Sequence, residues 1–305
     1  MRRVRYEHTG GPLFLEEAPE PVAGPGELLV RPEAIGVTLP VVRKVTEAAE
    51  PIPLGGEVAG EVVAVGEGVT RFRAGDRVTG LAFGHAYADL ALLHESMASP
   101  IPDGAGAVDA VALVRSGLVA LGALEAARPV PGESALVTAA ASGIGHLAVQ
   151  LARLRGASRV VGAVSGSGKT AFVRALGADE VVTYDTDGWG TPVDYALDAV
   201  GGDLLTPAIG ALAPGGRLVA YSSGGGTVRA YDLLVGARSV TGFQMARVAR
   251  EDPERYERWR QELWRLFTQG ALRPAVHGEF ALEDAASAHA AIESRGNLGK
   301  VVLRP

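Results

Sequence analysis

The sequence predicts an α/β chain, with a doubly wound parallel sheet in one domain and a β-rich, partly open barrel in a second. Three observations carry this. Between residues 109 and 250, apolar strand runs alternate with helical segments; residues 1–100 instead carry short alternating runs separated by glycine and proline; and the final stretch returns to that first style. At 305 residues the chain also exceeds what one hydrophobic core usually serves.

In chain order, 27–32, 60–66 and 76–80 read as strands of the barrel, each bounded by Gly or Pro turns. The wound domain then supplies strands ending at Val137, across 157–165, and at 180–184, 193–199, 216–221 and 239–243, six in all, alternating with helices. Asp252-Pro253-Glu254 opens a charged amphipathic helix through Phe267, expected to bury Trp259, Leu263, Leu266 and Phe267. The run 274–280, a helix from Glu283 and the strand 300–303 are expected to rejoin the barrel. The predicted domains are therefore 1–108 with 271–305, and 109–270. A ligand is expected where the carboxyl ends of the sheet strands face the barrel.

Composition removes several functional classes. There is no cysteine, hence no disulfide, no thiolate nucleophile and no cysteine-ligated zinc. A net charge of −6 argues against nucleic-acid partners and anionic membranes. No stretch of about 18 apolar residues runs unbroken by glycine, and no basic-then-apolar leader opens the chain. A cytoplasmic protein with no membrane partner is expected.

The most informative stretch is Val137-Thr138-Ala139-Ala140-Ala141-Ser142-Gly143-Ile144-Gly145-His146-Leu147-Ala148, a strand, a glycine turn and a helix. Gly143-x-Gly145-x-x-Ala148 places glycine where a turn needs positive φ and where backbone approaches a pyrophosphate. The amides of Ser142, Gly143, Ile144 and Gly145, at the positive end of a helix dipole, would hold an anion without a cationic side chain. The second strand ends at Ser165, 22 positions after Gly143, where an acidic residue would read a ribose 2′-hydroxyl. Ser165-Gly166-Ser167-Gly168-Lys169 instead offers hydroxyls, amides and one cation, which favours NADPH over NADH. The plain alternative for Lys169 is a solvated surface lysine.

Several motifs in one order add a resemblance over nearly the whole chain. Gly36-Val37-Thr38, Leu54-Gly55-Gly56-Glu57-Val58-Ala59-Gly60, Val65-Gly66-Glu67-Gly68-Val69 through Gly75-Asp76-Arg77-Val78, the Ala-Ser-Gly-Ile-Gly turn, Leu176-Gly177-Ala178-Asp179 and Gly299-Lys300-Val301-Val302-Leu303 resemble the medium-chain dehydrogenase/reductase superfamily. The similarity is greatest to its zinc-free quinone oxidoreductase branch. It implies a GroES-like catalytic domain, a Rossmann domain, NADPH, and a homodimer joined through the Rossmann sheet edge.

The resemblance also bears on individual residues. Zinc-dependent relatives carry Gly-His-Glu where this chain has Gly55-Gly56-Glu57, so the histidine ligand is replaced by Gly56 and no metal site is expected. Glu57 is expected to be a turn-stabilising hydrogen-bond partner. The proton donor is unknown: relatives carry Asn, then Asp or Tyr, where this chain has Thr38, Leu39 and Arg43. Thr38, Arg43 and His85 are the catalytic candidates, with plain readings as loop residues for the first two and as a structural histidine beside a strand for His85. By position the resemblance places Tyr184 beside the adenosine ribose phosphate, and Tyr221 and Ser222 near the nicotinamide half. Phe243 and Gln244 would flank the carboxamide, and Asn297 would sit in a closing loop. The plain readings are a strand cap for Tyr184 and core for Phe243.

Without a metal to polarise an isolated carbonyl, a conjugated acceptor is the easier hydride target. The expected activity is NADPH-dependent, zinc-independent reduction of quinones or related conjugated carbonyl compounds. The alternatives are an enoyl thioester reductase of the same superfamily and an NADPH-binding protein without significant catalysis.

Overall fold

In the computed structural model, residues 1–221 and 224–305 are described; Ser222 lies outside them. The chain forms two compact units, Met1–Arg115 with Pro274–Pro305, and Ser116–Arg273.

The first unit carries β1 (Arg2–Arg5), β2 (Phe14–Glu17), β3 (Glu27–Val37), α1 (Leu39–Glu47), β4 (Gly56–Val65), β5 (Arg77–Ala82), β6 (Ala91–His94) and β7 (Ala98–Pro100). The helix α2 (Ala107–Ala127) contains the unit boundary. The second unit continues with β8 (Ser134–Val137), α3 (Gly145–Leu154), β9 (Arg159–Val164), α4 (Thr170–Ala175), β10 (Glu180–Thr183) and β11 (Val193–Asp198). It ends with α5 (Leu205–Gly210), β12 (Leu212–Ala220), α6 (Ala230–Gly236), β13 (Ser239–Gly242), α7 (Met245–Glu251) and α8 (Pro253–Thr268). The chain then returns to the first unit as β14 (Val276–Ala281), α9 (Ala285–Glu293) and β15 (Lys300–Arg304).

Among the described residues, six strands of the second unit form one parallel sheet in the order β10-β9-β8-β11-β12-β13. Its central strands are buried on both faces, as continuous apolar runs such as Ser-Ala-Leu-Val and Arg-Val-Val-Gly-Ala-Val require. The order of winding reverses beside β8, the strand that enters the glycine turn. The first unit is mainly antiparallel, ordered β14-β15-β3-β4-β5-β7, with β6 also paired to β3. There the buried residues of β3 alternate along its first half, the signature of a half-covered sheet, around a core that includes Leu28, Val30, Ile35, Val58, Leu93 and Val301.

Two expectations change. Ala107–Ala127 does have the length and composition of a membrane-spanning helix, yet most of its apolar window is buried. Its glycines are packing sites rather than breaks: a Cβ on Gly117 would meet Leu263 Cδ2 at 2.7 Å, and one on Gly122 would meet Phe243 Cζ at 2.3 Å. In α8, Asp252 caps the Arg255 amide at 3.0 Å and Pro253 takes the first turn, as expected. Its buried face, however, includes Arg260, whose guanidinium lies 4.5 Å from the Tyr256 ring centroid, while Phe267 is only partly buried.

Candidate active site

The glycine turn leaves β8 at Thr138 and enters α3 at Gly145. A helix beginning at Gly145 presents its first amides and its positive dipole end beyond the carboxyl edge of the sheet. The turn departs from expectation at one point. Among the described residues its left-handed residue is Ala139, with φ of 48°, and neither Gly143 nor Gly145 has positive φ. Gly145 is required by close approach instead: a Cβ there would stand 2.0 Å from the Ala139 carbonyl oxygen. The Gly145 amide donates to Ser142 Oγ at 3.0 Å, so the Ser142 hydroxyl is engaged as a local cap. The Ser142 amide in turn donates to the Ala139 carbonyl at 2.8 Å, so both of these expected anion-binding amides are engaged within the turn.

Beneath the turn lies a polar centre that sequence reasoning missed. The Thr138 hydroxyl donates to Asp198 Oδ1 at 2.8 Å and accepts the Ala199 amide at 2.8 Å, and Thr138 and Asp198 are both fully buried. Asp198 also accepts the amides of Val200 and Gly201, at 3.2 and 2.9 Å. One carboxylate thereby ties together the carboxyl ends of β8 and β11.

Tyr221 follows β12 and its amide donates to the Asp198 carbonyl at 3.0 Å. Its phenol oxygen is buried and has no hydrogen-bond partner among the described residues, and burial, then the nearby Asp198 charge, pushes its ionisation well above the tyrosine range. An orphaned buried hydroxyl costs about 1–3 kcal/mol, which a bound polar group would recover. Tyr184 sits at the end of β10 with its phenol oxygen accepting the Ala139 amide at 2.9 Å. Ser165 is exposed just past β9, and Lys169 closes a short turn of 3-10 helix at Ser167–Lys169. A Cβ on Gly166 or Gly168 would meet nothing within 4 Å, so this segment has open space beside it. Gln244 is exposed at the start of α7, while the Phe243 ring packs edge-on against Trp259, centroids 6.1 Å apart.

In the first unit, Thr38 holds the N-cap position of α1 in extended conformation, with no side-chain capping bond. Arg43, farther along α1, pairs with Glu47 at 3.7 Å. His85 is exposed, with φ of 52°. Desolvation and then the Arg3 charge hold its pKa below the usual range. At neutral pH it is therefore an acceptor rather than an acid. Asn297 is half-buried and its side-chain amide donates to the Gly299 carbonyl at 2.9 Å.

The Gly55-Gly56-Glu57 run carries no histidine or cysteine. A Cβ on Gly56 would lie 3.4 Å from the Tyr87 ring, so that aromatic ring occupies the space beside the position of the relatives' histidine. Glu57 is not in a turn but buried within β4, where Arg115 pairs with it at 3.0 Å and the Lys300 ammonium binds its other oxygen. Burial pushes the Lys300 ammonium below the usual lysine range, while Glu57 opposes that shift. Among the described residues no three His, Cys, Asp or Glu cluster as ligands.

Comparison with known proteins follows the same lines. Residues 24–120 match the alcohol dehydrogenase GroES-like domain and 176–303 match the zinc-binding dehydrogenase family. A quinone oxidoreductase of Pseudomonas aeruginosa is 34% identical over 100% of this chain and 99% of its own. A mycobacterial protein solved in complex with NADPH superposes with a TM-score of 0.92 at 32% identity, covering 100% of both chains. The quinone oxidoreductase of Thermus thermophilus, also solved with NADPH, gives 0.86 at 32% identity and the same coverage. The fold and its turn thus define an oxidoreductase of the medium-chain dehydrogenase/reductase superfamily. Within that superfamily, the chain belongs to the quinone oxidoreductase family.

Proposed function

We propose that this chain reduces quinones and related conjugated carbonyl acceptors with NADPH and without zinc. The observation that carries the reading is a helix N-terminus opening from a glycine turn beside a strand end that bears Ser165 and Lys169 and no carboxylate. When bound, the reduced nicotinamide supplies a hydride to the acceptor. The Gly143 and Ile144 amides hold the diphosphate, since the Ser142 and Gly145 amides are engaged within the turn, and Ser165 with Lys169 holds the 2′-phosphate. The orphaned Tyr221 hydroxyl gains a polar partner, and Phe243 and Gln244 line the remainder.

On the acceptor side, Thr38 is the best-placed donor. Its hydroxyl is not spent on capping, and it stands at the positive end of the nine-residue helix α1, where a developing oxyanion is stabilised. Leu39, opening α1, and Phe83, just past β5, are 43% and 69% exposed apolar side chains of the same unit. Arg43 is held by Glu47, and His85 lacks the charge to act as an acid near pH 7. A hydroquinone anion takes its final proton from water. We further infer a homodimer, supported by the edge strand β13 and the exposed apolar face of α6, and a cytoplasmic location.

The test is NADPH consumption by purified protein with a simple quinone and with a simple enoyl thioester, each with and without a chelator. Quinone turnover insensitive to chelation is expected. Activity on the thioester alone, binding without turnover, or loss on chelation with recovery on added zinc would each overturn the proposal.

A further inference from the structure

We propose that Tyr6 is a positioning residue for the acceptor side: with Thr9 and Gly10 it straps down the carboxyl end of α1 and thereby fixes Thr38 at the other end. The inference rests on the quinone reading above, in which Thr38 meets the acceptor. With nine residues, α1 is too short to hold its shape without tertiary support. Its inner face provides part of that support, since Val41, Val42 and Val45 are buried in the same core cluster as Tyr6.

The carboxyl end is held by a different device. Carbonyls in the last turn of a helix lack partners within it, and here the segment that follows β1 supplies them. The Gly10 amide donates to the Val45 carbonyl at 2.7 Å, and the Thr9 hydroxyl donates to the Ala48 carbonyl at 2.6 Å. Tyr6 does more than either. Its buried side chain donates to the Lys44 carbonyl at 3.1 Å and accepts the Ile52 amide at 3.0 Å, so one hydroxyl closes the whole excursion from Lys44 to Ile52. Without it, the Ile52 amide loses its acceptor and α1 loses a restraint. Thr38 moves with the helix, because its carbonyl accepts the Val41 and Val42 amides at 3.0 and 3.1 Å. The dinucleotide turn belongs to the other unit, so the strap bears on the acceptor and not on the cofactor.

That division is the test. Quinone kinetics and NADPH binding by fluorescence titration are measured for wild type, Tyr6→Phe, Thr9→Val, Thr38→Val and the double variant Tyr6→Phe/Thr38→Val. Tyr6→Phe keeps the ring in the core, and it is expected to lower kcat/KM for the quinone about five- to tenfold with NADPH affinity unchanged. Thr9→Val, which removes a single exposed bond, is expected to lower it less. If Tyr6 acts through α1 and Thr38, the double variant loses less than the product of the two single losses. Unchanged quinone kinetics in Tyr6→Phe, an equal weakening of NADPH, or fully multiplicative losses would overturn the assignment.

Amide hydrogen exchange of residues 44–52 in the free protein reads the strap independently. Faster exchange in Tyr6→Phe is expected, and unchanged exchange would overturn the strap. A wild-type chain that turns over no quinone, in which Tyr6→Phe still quickens this exchange, would sink the acceptor reading and leave the strap standing.

Discussion

Single buried polar groups decide much of the behaviour of this chain. Asp198 is held by a hydroxyl and two amides, so its charge is compensated in place. His289 is the contrary case: it is buried on α9, its Nε2 lies 3.3 Å from the Tyr87 hydroxyl, and their rings meet edge to face at 5.7 Å. Burial holds its pKa down to about 4, against 6.5 for an exposed imidazole. Between those values the unfolded chain binds a proton that the folded chain refuses, so stability falls as pH drops from 6.5 toward 4. Integrated from pH 7.5 to pH 5, this costs about 2 kcal/mol. Denaturant unfolding at the two values should show that loss in wild type and a smaller one in His289→Gln; equal slopes with pH would refute it.

Among the elements, β13 carries the clearest consequence. It ends the parallel sheet with one edge unpaired among the described residues, Ser239, Thr241 and Gly242 are exposed, and the adjoining helix α6 exposes Tyr231, Leu234 and Val235 at 65–75%. An open edge beside an apolar helix face favours pairing with a second copy. Sedimentation should find a dimer that Leu234→Asp with Val235→Asp converts largely to monomer; a wild-type monomer at micromolar concentration would contradict it. Most elements were legible in the sequence because period-2 and period-3.6 patterns are local: all six strands of the wound sheet could be read that way. What was not legible depends on partners distant in sequence. Arg260 reads as surface until Tyr256 and the fold cover it, and Gly122 reads as a break until Phe243 fills its space.

For the molecule as a whole, the site divides in the same way. The turn and its small residues announce themselves by spacing, since backbone geometry dictates glycine. Ala139 in the left-handed region, the Thr138–Asp198 centre and the ring of Tyr87 beside Gly56 are products of tertiary structure that no local pattern encodes. The account rests on this turn holding a phosphorylated dinucleotide, and calorimetric titration of NADPH and NADH into wild type and Lys169→Ala tests that most directly. Wild type should bind NADPH about tenfold or more tightly than NADH, with the preference narrowed in Lys169→Ala. Association with neither nucleotide, or a preference for NADH, would contradict it.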